Sequence, residues 1–146
     1  LQSLISLLLH KILEIGHENV AAYIAEPVLA SGGCIVPPKN YIKRFWEVCK
    51  KYDVLYISDE VVTSFGRLGH FFSSKEEFDI IPDIITTAKG ITSGYFPLGA
   101  VLISDRLMVD IKKESSLFWT HHMDIHHKFF LLLGYNIHTQ NHIWQN

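Results

Sequence analysis

Cysteine, charge of one sign and long apolar runs are all scarce in this chain, and each shortage removes a class of protein. Cys34 and Cys49 are the only two cysteines, too few for a disulfide framework and without the spacing of a metal clip. Cys49 falls in a helical pattern and reads as a small core residue, so cysteine usage fits a reducing compartment. The formal net charge is -2 at pH 7, which offers no electrostatic footprint for nucleic acid or an anionic membrane. The apolar opening, Leu4 to Leu9, is too short to span a bilayer, and no basic segment precedes it. Neither a transmembrane helix nor a signal peptide is therefore expected, which leaves cytoplasm and mitochondrion both open as locations. Internal repeats are also lacking.

What is present is a globular composition: 48% of 146 residues are hydrophobic, enough for one domain with a core. The chain begins at Leu1 and enters an apolar pattern at once, as a helix continuing from something upstream would, so a fragment of a longer protein is expected. Ile5, Leu8, Leu9, Ile12 and Leu13 recur at helical spacing up to Ile15, and Gly16 stops the pattern as a C-cap does. Val20 to Ala25 reads as a buried strand ending in Glu26-Pro27, where the proline bars continuation. A loop around Ser31-Gly-Gly33 leads to a helix over about Asn40 to Tyr52, with Ile42, Phe45, Trp46 and Cys49 turned inward.

Val54 to Ile57 is the next strand, β-branched and aromatic, with Asp59 and Glu60 at its carboxyl end and the glycine-containing loop Ser64-Phe-Gly-Arg67 after it. Phe71 to Asp83 is a mixed segment. Ile84 to Thr87 is a third strand running into Ala88-Lys89-Gly90; Leu98 to Ile103 is a fourth, followed by a short helix from Asp105 to Lys113. The first three strands are separated by crossovers long enough for parallel pairing, and the last two could be joined directly, allowing one antiparallel member. The expected class is α/β, a mostly parallel sheet flanked by helices. From Ser115 onward only Asp124 and Lys128 are charged, six of the nine histidines gather, and Phe129 to Leu133 is apolar without a partner pattern. The expected organisation is a folded part over 1–114 and a divergent His-rich tail over 115–146.

Ligands of open α/β sheets sit beyond the carboxyl ends of the strands. Three strand ends bring Glu26, Asp59 and Lys89 towards such a rim. Structural ion pairs account for a strand-end lysine near carboxylates, and a cap accounts for a lone strand-end aspartate. The same set also meets the needs of pyridoxal phosphate, which takes a lysine for its Schiff base and an acid on its ring nitrogen. Gly90 and Gly94 would let a ligand approach the backbone closely.

The stretch from Ala22 to Ser104 resembles the class III (ω-) aminotransferases, pyridoxal-phosphate enzymes of fold type I. The matching pieces are Ala25-Glu-Pro-Val28 with Gly32-Gly33, Asp59-Glu-Val-Val-Thr-Ser-Phe-Gly-Arg67 with Gly69, Pro82-Asp83, Thr87-Ala-Lys-Gly90, and Gly94-Tyr-Phe-Pro-Leu-Gly99. Val62 stands where many members have glutamine, which removes one side-chain hydrogen bond near the cofactor. The resemblance implies pyridoxal 5'-phosphate as cofactor and transfer of an amino group from an amine or amino acid to a keto acid. It implies that Lys89 carries the cofactor and shuttles the proton. By the same resemblance Asp59 partners the pyridinium nitrogen, Val61 packs on one ring face and Glu26 lies on the substrate side. Gly66 and Arg67 are expected to hold their loop, and a homodimer is implied because fold type I sites form between subunits.

The family's phosphate-binding Ser/Gly loop and second ring-covering aromatic lie upstream of the matched stretch, so weak cofactor retention is expected. Thr120-His121 resembles the opening of a later family segment, but the residues after it depart from the family pattern. Residues 1–114 then read as the central part of the large domain of such an enzyme, with a catalytically inactive fragment or interaction remnant as the alternative; a lysine-dependent lyase on the same scaffold is a third reading. His122 and His126 would share a helical face as zinc ligands do, but no third ligand is placed, and the cluster reads as incidental. Ser64 has no base in a recognisable arrangement, which argues against acyl transfer.

Overall fold

The computed structural model describes residues 2–114 and 130–132. Helix α1 (Gln2–Ile15) buries Ile5 and Ile12, two turns apart on one face. Leu8 and Leu9 are half-buried, whereas Leu13, expected on the same face, is exposed. Gly16 ends the helix at φ +85, the left-handed conformation that glycine adopts without a Cβ penalty. Strand β1 (Ala22–Ala25) is shorter than the apolar run suggested: Val20 and Ala21 precede it. Helix α2 (Tyr41–Lys51) buries Ile42, Phe45 and Cys49, and its last turn carries Lys50 and Lys51, where positive charge suits the free carbonyls. Trp46 is half-buried, its indole N–H donating to the Ile81 carbonyl at 3.0 Å.

Strand β2 (Leu55–Asp59) is followed by helix α3 (Ser73–Phe78), strand β3 (Ile84–Thr87), strand β4 (Ala100–Ile103), helix α4 (Asp105–Glu114) and strand β5 (Phe130–Leu132). These strands form one sheet in the order β1-β2-β3-β4-β5. β1, β2 and β3 are mutually parallel, β4 is antiparallel to β3, and β5 is antiparallel to β4. Among the described residues, four of the five strands therefore run one way and β4 runs against them. The α/β class with a mostly parallel sheet is borne out. The apolar run in the tail, which shows no partner pattern in sequence, contributes β5 through backbone pairing to Val101, Leu102 and Ile103.

Strand alternation sorts the side chains to two faces. Tyr56, Ser58 and Glu60 are buried, while Leu55, Ile57 and Asp59 between them are half-buried. The register pairs Tyr23 with Tyr56, Ser58 with Ile85, and Ile85 with Leu102, so these share the covered face. Ile5, Ile12, Ile42, Phe45, Cys49, Val54, Tyr56 and Ile80 make the main core there, and Ile85, Ala100 and Leu102 make a second patch against Phe72 and Ile91.

Asp83 ties three strands together. Its carboxylate accepts the Tyr56 N–H and an Arg106 guanidinium N–H, both at 2.9 Å. Its own N–H donates to the Tyr56 carbonyl, and its carbonyl accepts the Ser104 N–H. The preceding Pro82, with no N–H of its own, sits just outside the ladder.

Candidate active site

The carboxyl ends of β1, β2 and β3 point the same way, so the residues that follow them share one rim. Ala25 pairs with Ser58 and Asp59 with Thr86. Glu26 is one step past the end of β1, and Asp59 is one step past the partner of Ala25 on β2, so both follow the same end of this strand pair. Lys89 follows β3 by two residues.

Asp59 is held from two sides. Its Oδ1 accepts the Val61 N–H at 3.1 Å, a local turn that folds the chain back after the strand, and the Thr86 hydroxyl at 3.2 Å across the sheet. Its Oδ2 has no hydrogen-bond partner among the described residues, so the carboxylate is fixed by one oxygen and presents the other. Val61 is half-buried next to it. Glu26 Oε2 accepts the Ala30 N–H at 3.1 Å, closing the turn at Pro27 and Val28.

Lys89 is exposed and opens a 3-10 turn, Lys89–Ile91, at φ +44. A left-handed conformation costs a residue with a Cβ about 1–2 kcal/mol. Neighbours hold it there. The Thr87 hydroxyl lies 2.5 Å from that of Ser64, and the Ile91 N–H returns to the Ala88 carbonyl. Phe65 covers Gly90 so closely that a Cβ on the glycine would stand 2.9 Å from Phe65 Cβ. Strain of this kind, over-determined by its surroundings, concentrates at functional sites. Lys89 forms no ion pair with Asp59, Glu26 or any other carboxylate among the described residues. The simple ion-pair account of this acid and this amine is thus not what the geometry favours.

The capping role belongs to the neighbouring acid. Glu60 is 0% exposed, and its carboxylate accepts the N–H groups of Ser73 at 2.7 Å and Ser74 at 3.0 Å. It also accepts both serine hydroxyls, that of Ser73 at 2.9 Å. Sequence reasoning assigns Glu60 no role. The signal that could have found one is parity: counted from Tyr56 and Ser58, Glu60 belongs to the buried face and Asp59 does not. Ser64 is likewise structural, its hydroxyl donating to the Glu60 carbonyl at 2.7 Å. Gly66 adopts φ +89 and donates to the His70 carbonyl, closing the loop on which Arg67 is exposed. Among the described residues no group of three His, Cys, Asp or Glu could hold a metal ion, and no helix is long and apolar enough to cross a membrane. His122, His126 and Thr120-His121 lie outside the described residues.

The Aminotransferase class-III family model matches residues 2–122. The chain belongs to this family. Putrescine–pyruvate aminotransferase of Pseudomonas aeruginosa is 47% identical over 109 residues, 75% of this chain and 24% of that protein. Gamma aminobutyrate transaminase 2 of Solanum lycopersicum is 46% identical over 105 residues, 72% of this chain and 23% of that protein. Among solved structures, a transaminase from the marine bacterium Virgibacillus superposes with TM-score 0.75 at 45% identity, over 84% of this chain and 27% of that one. An (S)-enantioselective omega-transaminase from Thermomicrobium roseum does so with TM-score 0.74 at 41% identity, over the same shares. This aminotransferase chain therefore spans about a quarter of the length of the relatives it matches. The identities and superpositions carry the fold type I assignment.

Proposed function

We propose that the complete protein transfers an amino group from an amine or amino acid to a keto acid with pyridoxal 5'-phosphate, and that this chain supplies its acid and amine. The observation that carries the reading is the rim itself: a carboxylate fixed through one oxygen, a strained lysine unpaired among the described residues, and both at parallel strand ends in a class-III aminotransferase. Those residues fit the cofactor's needs on this structure, because the open Oδ2 of Asp59 is an acceptor held in place before any ligand arrives. When bound, the cofactor supplies an electron sink for the carbanion formed at the substrate Cα.

The chain's own residues do the rest. Lys89 Nζ would hold the cofactor through its aldehyde and, when free, would carry the proton to and from the substrate. Asp59 Oδ2 would accept a hydrogen bond from the protonated ring nitrogen and so keep that nitrogen charged. Val61 would pack on one face of the ring and keep water from it. Glu26, anchored by the Ala30 N–H, lies on the substrate side, where it can pair with a cation. Residues 1–114 are the partial large domain in this reading and 115–146 a divergent tail. A homodimer completes the site, since the family assembles fold type I sites between subunits. The short coverage of the relatives favours one alternative: that this chain alone is a catalytically inactive fragment.

The test is to mix the purified chain with pyridoxal phosphate and record the visible absorption, then repeat with Lys89→Ala. A band that disappears with Lys89 supports the reading. No band, or one that survives the substitution, leaves the fragment reading in place.

A further inference from the structure

We propose that Glu60 is a positioning residue that sets the geometry between Asp59 and Lys89, holding the cofactor rim together from beneath. The proposal rests on the functional reading for its purpose but not for its geometry. Glu60 is fully buried, and no Lys, Arg or His nitrogen among the described residues pairs with its carboxylate. An isolated charge in such a place is costly, and four donors from Ser73 and Ser74 compensate it here. That is a large commitment for capping a six-residue helix.

The other polar groups of the same residue explain the commitment. The Glu60 N–H donates to the Thr86 carbonyl at 2.9 Å, so residue 60 still grips β3 one step after β2 has ended. Its carbonyl receives the N–H and the hydroxyl of Ser64, at 3.1 and 2.7 Å. With its proton so used, the Ser64 hydroxyl accepts from Thr87, two residues before Lys89. Phe65, next in line, presses on Gly90. Thr86, gripped by the Glu60 backbone, is also the residue whose hydroxyl orients Asp59. One anchored residue therefore fixes both partners of the proposed site: Asp59 through Thr86, and Lys89 through Ser64, Thr87 and Phe65. The carboxylate makes that residue immovable by pinning it to α3.

Glu60→Gln tests this, because it keeps the shape but turns an amide N–H₂ towards a backbone N–H, of Ser73 or of Ser74, that cannot accept from it. Two readouts are taken on the full chain. The first needs no cofactor: amide hydrogen exchange at Thr87 to Gly90 is expected to quicken at least about tenfold, together with that of α3. The second is the pH midpoint of the Lys89-dependent visible band at saturating pyridoxal phosphate, which is expected to move, because Asp59 no longer faces the ring nitrogen squarely. Faster exchange confined to Ser73–Phe78, with an unchanged pH midpoint, would reduce Glu60 to a helix cap and overturn the proposal. Absence of any band in the parent chain leaves the fragment reading of the function in place, and the exchange result still decides the role of Glu60. Should Glu60→Gln fail to fold, Ser64→Ala cuts the link to Thr87 and leaves the carboxylate clamp intact. Exchange at Thr87 to Gly90 should then rise while α3 stays protected; unchanged exchange there refutes the coupling.

Discussion

Substituting Gly90 by alanine tests whether the loop after β2 is wedged against the lysine turn. The added Cβ would stand 2.9 Å from Phe65 Cβ and 3.2 Å from its Cδ2. Carbon atoms pack best from about 3.5 Å, so the nearest contact falls short by roughly 0.6 Å. The obstruction is a Cβ rather than a mobile tip, and its backbone is pinned. Phe65 sits at φ +57, its N–H bonded to the Phe71 carbonyl at 2.8 Å, with Gly66 bonded to His70 at 3.0 Å. Overpacking of this kind costs about 1–3 kcal/mol. Against that, alanine stabilises by about 0.4–1 kcal/mol through the unfolded chain. Gly90→Ala should therefore destabilise the full chain by about 0.5–2 kcal/mol, read as a lower urea midpoint at constant slope. The sharper result is the coupling. Phe65→Ala keeps the offending Cβ and should leave most of the penalty in place. Phe65→Gly removes it and suits the positive φ, so Gly90→Ala should cost at least about 1 kcal/mol less in that background than in the parent. Additivity of Gly90→Ala and Phe65→Gly within about 0.5 kcal/mol would refute the wedge.

Two further substitutions and two titrations probe other parts of the structure. Asp83→Ala strips the Tyr56 N–H of its acceptor inside the sheet and should cost about 1–3 kcal/mol in urea unfolding, whereas Arg106→Ala, which removes only an exposed partner, should cost under about 1 kcal/mol. Burial pushes the Cys49 thiol up to about 11 and raises the Tyr23 and Tyr56 phenols further, so all three groups stay neutral in the fold at pH values where the unfolded chain ionises. Stability from these groups is fully present below the unfolded thiol value of about 8.5 and is lost as pH rises towards the folded values. The urea midpoint should accordingly fall between pH 8 and pH 10.5, and a rise over that range would contradict the burial. At pH 8 a thiol reagent should titrate one cysteine in the native chain, the exposed Cys34, and two after unfolding.

Much of this fold is legible in the sequence because apolar period and element agree. Ile42, Phe45 and Cys49 announce α2, and Ile84 to Thr87 announces β3, where local pattern and tertiary burial make the same demand. The misses share a cause in longer-range contacts. α3 hides in mixed sequence because its cap comes from Glu60, thirteen residues before Ser73, and Phe72 at the cap position offers no side-chain acceptor. β5 is unreadable because its partner, β4, is fixed only by the topology of the sheet. Helical period places Leu13 inward, but Ile12 takes the buried position of that turn and Leu13 beside it is exposed.

The two adjacent acids show where sequence reasoning about a site reaches its limit and what carries it further. Asp59 and Glu60 have the same charge, nearly the same chemistry and the same strand end, and a cap and a ligand-facing acid are both open readings for that position. Strand alternation separates them. Glu60 continues the buried series Tyr56, Ser58 and is consumed by Ser73 and Ser74; Asp59 continues the half-buried series Leu55, Ile57 and keeps an oxygen free among the described residues. A one-residue slip of β2 against β3 would exchange the two roles, putting Asp59 into the buried hydroxyl cluster and Glu60 at the rim. What prevents the slip is Asp83, which grips both the N–H and the carbonyl of Tyr56 and so fixes the register three residues upstream of Asp59. The proposed chemistry at the rim therefore depends on a carboxylate that never approaches the rim. Weakening Asp83 should disturb the Lys89-dependent band at a protein concentration and temperature where the chain is still folded.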